Sequence, residues 1–134
     1  MLLVLGAIAV DSAVAFLGQR EVSNAAAAAA NDAATAALSD RAFYTSGALE
    51  VDGKRALEVA RRSVAARTSR GVEVVDVSVD ADADRVCVTV RGRVPYVFAR
   101  ALPLVPGFAA VSGRAGAVAV AGERGTPVPR GADC

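Results

Sequence analysis

The sequence predicts an α+β chain, in which a long N-terminal membrane-embedded helix is followed by a second helix and a small antiparallel three-stranded sheet. Three observations carry this expectation. The chain opens on an apolar stretch, MLLVLGAIAVDSAVAFLG. An alanine-rich run, EVSNAAAAAANDAATAAL, continues it with strong helix formers and no Pro. Further on, valines alternate with polar residues in VEVVDVSVD and RVCVTVRGRV, the period of half-buried strands.

Composition narrows what such a chain can do. Hydrophobic residues make up 54% of the 134, but aromatic residues only 4%, with no Trp, so the core is built mainly from Ala and Val and is thin. Fifteen Lys and Arg against 14 Asp and Glu leave a net charge of +1, which gives no electrostatic reason to expect a nucleic-acid partner. Histidine is absent, which removes the commonest general base and metal ligand. The serines Ser63, Ser69 and Ser112 have no base and orienter at a telling spacing, so no catalytic residues, cofactor, metal or small-molecule substrate are expected.

Residues 1 to 18 admit three readings: a cleaved secretory signal, a buried core helix, or a membrane-embedded helix. No basic residue precedes Leu2, and no other element is large enough to surround a core helix of this kind. The membrane helix is the best fit, slightly short of the ~20 residues that span a bilayer. Asp11 is the costly residue within it. It stands either near an interface or against a neighbouring subunit's helix or N-terminal amine.

Nothing between Gly18 and Ser39 breaks the helix, so the membrane segment and the alanine run read as one rod of roughly 55–60 Å. Arg20, Asn24, Asn31 and Thr35 recur at spacings of four, seven and four along it. They form a narrow polar stripe on a smooth alanine surface that suits close helix packing. The alternative is a merely helical connector. Residues 1–40 are thus expected to be membrane helix and stalk, 41–122 the head, and 123–134 a flexible Pro/Gly-rich tail.

Asp52 is a plausible N-cap for the second helix, GKRALEVARRSVAARTSR. Ala56, Leu57, Ala60 and Val64 form its inner face, and Lys54, Arg55, Glu58, Arg61 and Arg62 its solvent face. In the first strand Val75, Val77 and Val79 are placed inward, opposite Val74, Asp76 and Ser78; in the second, Val86, Val88 and Val90 point inward. The intervening Asp80, Asp82 and Asp84 resemble the start of a calcium loop. However, Arg85 and Arg91 occupy the places that need Gly and Glu, and calcium is not expected. The segment PYVFARALPLVPG is expected to lie on the sheet as a short helix or crossover, before a last strand, FAAVSGRAGAVAVAG. Cys87 and Cys134 either form one bridge, as an exported domain with a thin core would use, or remain a free or intermolecular thiol pair.

The order of these features resembles the TadE/TadG-like proteins of tight-adherence (Flp) pilus systems. Val22-Ser23-Asn24-Ala25-Ala26 and Asn31-Asp32-Ala33-Ala34 through Leu38 are similar to that family's alanine-rich helix motif, and the likeness extends to about Gly122. The resemblance implies a pilin-like fold and a structural role, as a minor pilin or pseudopilin whose partners are the membrane and other pilus or envelope subunits. It implies a place in the cytoplasmic membrane with an extracytoplasmic head, or in a surface filament. Asp11, Asn24, Ala27, Asn31 and Ala34 are the residues then expected at subunit contacts. Prepilins carry a basic leader, a peptidase site and a Glu just after it. The stretch from Met1 contains none of these, so the expectation is either a trimmed start or a subunit not processed as a prepilin. The competing reading is a singly anchored extracytoplasmic binding or scaffold module.

Overall fold

A computed structural model describes residues 1–38, 50–82, 85–101, 105–119 and 134. It has a long N-terminal apolar helix, a second helix and a three-stranded antiparallel sheet, an α+β arrangement. Helix α1 spans Leu2–Ala36, α2 spans Gly53–Arg67, and strands β1, β2 and β3 span Glu73–Asp82, Arg85–Pro95 and Phe108–Val118. A 3-10 turn, Ala99–Ala101, lies between β2 and β3. The strands form a meander in the order β1-β2-β3.

Both helices cover one face of the sheet. Val86, Val88 and Val90 of the central strand are fully buried beneath them, together with Val94 and Val111. From α1 the core receives Val22 and an inner face of alanines: Ala26, Ala29, Ala30, Ala33, Ala34 and Ala37. From α2 it receives Ala56, Ala60 and Val64. With so little side-chain bulk between the layers, helix and strand backbones meet directly. A Cβ added to Gly113 of β3 would lie 2.7 Å from the Val22 carbonyl oxygen, and one added to Gly18 of α1 would lie 2.3 Å from a Val94 methyl. Glycine is the residue that permits such approach.

The alanine run is therefore the spine of the head. The chain is embedded in the core from Val22 to Ala37, so this length of the expected stalk packs against the protein's own sheet and second helix. Its polar stripe, Arg20, Asn24, Asn31 and Thr35, faces outward.

Three local expectations are corrected. Val75 is 54% exposed, and Val74 points inward instead. A β-bulge between Val74 and Asp76 adds one residue to β1 and reverses the alternation before it. Helix α2 ends at Arg67, short of Arg70, because Thr68 turns to extended backbone while its hydroxyl bonds back to the Val64 carbonyl. Of the segment after Pro95, residues 96–101 sit at the end of the sheet and not on it, with Val97 and Phe98 half exposed. Asp52 does cap α2, accepting from the amides of Lys54 and Arg55 at 2.9 and 3.2 Å. Asp84 and the segments 41–49 and 120–133 lie outside the described residues.

Candidate functional site

Helix α1 is long and apolar enough to cross a membrane, and it is the one such helix among the described residues. Its first turns stand clear of the head. Leu2, Leu3, Val4, Leu5, Ile8 and Val10 are all exposed, Leu3 at 89%. Residues Leu2 to Val10 extend about 14 Å along the axis, roughly half of a ~30 Å hydrocarbon core. On the outer side of the helix the apolar surface continues through Phe16 and Leu17, at 67% and 62% exposure, before Gln19 and Arg20.

The head begins at Asp11. This carboxylate is buried and accepts three backbone N–H groups from the turn after β2: Val97 at 2.7 Å and Phe98 at 3.1 Å on Oδ1, and Ala99 at 2.8 Å on Oδ2. The three amides open the 3-10 turn and have no partner within it, so the carboxylate and the turn satisfy one another. Asp11 thus meets its own chain, 86 to 88 residues away in sequence.

Further polar clasps follow along α1. The Gln19 side-chain amide donates to the Ser112 carbonyl at 2.6 Å and accepts from the Ser112 amide at 3.1 Å, completing a residue of the edge strand β3. Glu21 accepts from the Ser69 amide and, at 3.1 Å, from its hydroxyl. Asp32 accepts from the Ser63 hydroxyl at 2.6 Å and from the Arg67 guanidinium at 3.2 Å, which ties α1 to α2. The Ser63 bond, joined by Arg67, holds the Asp32 carboxyl below the usual carboxylate range against the smaller opposing effect of burial. Ser63 also accepts from Arg67 Nε at 3.3 Å, so the cluster is an interhelix brace.

Of the residues expected at subunit contacts, Asn24, Ala27 and Asn31 lie on the outer surface of α1. Ala34 is buried in the chain's own core, and Asp11 is held by the loop. Cys87 is bonded to Cys134, with the Cα atoms 5.9 Å apart, on the face of the sheet away from the helices. Gln19, Glu21, Ser63 and Arg67 had no sequence signal beyond being polar, since each finds its partner only when α1 lies on the sheet. Among the described residues, no group of three or more His, Cys, Asp or Glu side chains is placed to hold a metal ion. Compared with known protein families, curated proteins and solved structures, the chain has no match.

Proposed function

We propose that this chain is a pilin-like subunit of the cell envelope, a minor pilin or pseudopilin of a tight-adherence-type pilus or a related assembly system. It acts by helix packing and not by catalysis. The observation that carries the reading is the form of α1: bare and apolar over its first turns, then the spine of a small α+β head. Such a subunit has one helix to place in a membrane or a helical filament core, and a head to display outside it. Asn24, Ala27 and Asn31 add a low, polar outer surface on that helix, which another subunit's helix can approach closely. The disulfide supports an extracytoplasmic head, because such bonds persist in oxidising compartments.

Fractionation of the cells that make the protein tests this. Surface filaments are sheared off, and the chain is sought both there and in the membrane, alongside a strain lacking its gene. The expected result is chain in both fractions and altered filaments in the deletion strain. Chain confined to the membrane, with unchanged filaments on deletion, overturns the filament role in favour of a singly anchored module.

A further inference from the structure

The connection from β2 to β3 emerges at the end of the head nearest the bare turns of α1. Val94 packs on Gly18, and the amides of Val97, Phe98 and Ala99 reach Asp11. The two sides of α1 then differ in level. On the outer side the apolar surface runs as far as Leu17, whereas on the inner side the loop is fastened at Asp11, six residues nearer the N-terminus. That offset is about 9 Å along the axis. A bilayer that covers the outer side of the helix to Leu17 therefore reaches past the level of the loop.

The loop is built for that depth. Its outward side chains, Val97 and Phe98, are apolar and 48% and 49% exposed, and Tyr96 beside them is half-buried. Aromatic rings of this kind favour the membrane–water interface. Lipid offers no partner to backbone N–H groups, so a loop entering it must have them satisfied within the protein. Here five of the six amides from Tyr96 to Ala101 are accepted: Asp11 takes those of Val97, Phe98 and Ala99, the Gly107 carbonyl takes that of Tyr96 at 3.0 Å, and the Phe98 carbonyl takes that of Ala101 at 3.0 Å. The same bonds provide the partner that a carboxylate needs at this level. Arg100 is exposed in the same turn, and Arg70 and Arg93, two cations beside the single carboxylate of Glu73, line a groove with Phe108 at this end of the head. Long cationic side chains so placed reach anionic phosphates while their stems stay among apolar groups.

We infer that the loop from Tyr96 to Ala101 is a second membrane contact, inserting Val97 and Phe98 into the interfacial region of an anionic bilayer beside α1, with Asp11 as the positioning residue. The inference rests on α1 being a membrane anchor. The head consequently sits flush on the bilayer and not at a distance from it.

The test uses the full chain, disulfide intact, in phosphatidylcholine–phosphatidylglycerol vesicles. A single polarity-sensitive fluorophore is attached in turn to Leu5→Cys on the bare helix, Phe98→Cys on the loop, and Lys54→Cys at the far end of the head. Nitroxide lipids carrying the quencher deep in the chains or near the headgroup then report depth. The expected result is deep quenching at position 5, shallow quenching with a blue shift at position 98, and none at position 54; in the Asp11→Asn background, quenching at position 98 falls while that at position 5 stays. A fluorophore at position 98 that behaves like the one at position 54, while position 5 is quenched, overturns the loop contact and leaves the anchor standing. No quenching at position 5 removes the anchor and the inference together. Position 98 shielded from aqueous iodide, unquenched by nitroxide lipid and dependent on protein concentration, shows a second copy on the patch and also overturns it.

Discussion

The two parts of α1 sort apolar side chains by size in opposite ways. From Leu2 to Val10, leucine, isoleucine and valine stand exposed, while from Val22 to Ala37 the helix buries one valine and a file of alanines. In an ordinary soluble helix the largest apolar residues point to the core. Here bulk marks the surface that has no partner within the chain, and smallness marks the surface pressed on the sheet. The lesson is that apolar content alone does not locate this core; the distance at which backbones meet does.

Substitutions at glycine break the comparison most sharply. Gly113→Ala places a methyl against the α1 backbone, which has nowhere to move, and Gly18→Ala places one against buried Val94. Each is expected to cost about 3 kcal/mol, lowering the melting temperature by roughly 4 °C per kcal/mol in a chain of this length. Gly6→Ala meets nothing within 4 Å and, alanine being the better helix former, does not lower the melting temperature. Circular dichroism of the three variants in one detergent is the measurement, and an equal loss at Gly6 would contradict the division.

Alanine within the embedded part gives a second contrast, between inner and outer faces. Ala34→Leu overfills the core and is expected to cost about 1–3 kcal/mol. Ala27→Leu, on the outer face, stays within about 0.5 kcal/mol while removing filament assembly or subunit co-purification. Normal assembly with Ala27→Leu would count against packing through this surface.

At the junction of the two parts, Asp11→Ala leaves three amides without an acceptor. Hydrogen exchange at Val97, Phe98 and Ala99 should speed up, with a loss of about 1–3 kcal/mol. The smallest effect concerns Asp32. Because its folded pKa lies below the unfolded value of about 3.9, the contribution is fully present above that pH and disappears as pH falls through the lowered folded value. Asp32→Asn should lower stability near neutrality by this contribution, flatten the acid limb of the stability curve in that window, and converge with the parent at lower pH.

Much of this arrangement was legible in the residues, and the rest depended on long-range geometry. The helices and strands follow from periodicity and from the Asp52 cap, which are local properties. Val75 was misplaced because a bulge depends on the partner strand: Val74 faces Gly92, and the ladder resumes at Asp76 opposite Arg91. The buried side of α1 could not be read because alanine occupies both sides, so hydropathy gives no direction. The role of Asp11 was hidden for another reason. Its donors are backbone amides, which any sequence carries, so no side chain at positions 97 to 99 announces the contact.

The contacts of α1 with the head are strung along its axis, from Asp11 through Gly18, Gln19 and Val22 to Asp32 and Ala37. A tension applied through the N-terminal turns therefore loads them side by side, in shear, and does not peel them away in succession. Detachment then requires many contacts to yield together, and its rate is set by the barrier to that joint event. In mechanical terms the helix is a keyed shaft, and the head turns or travels only with it.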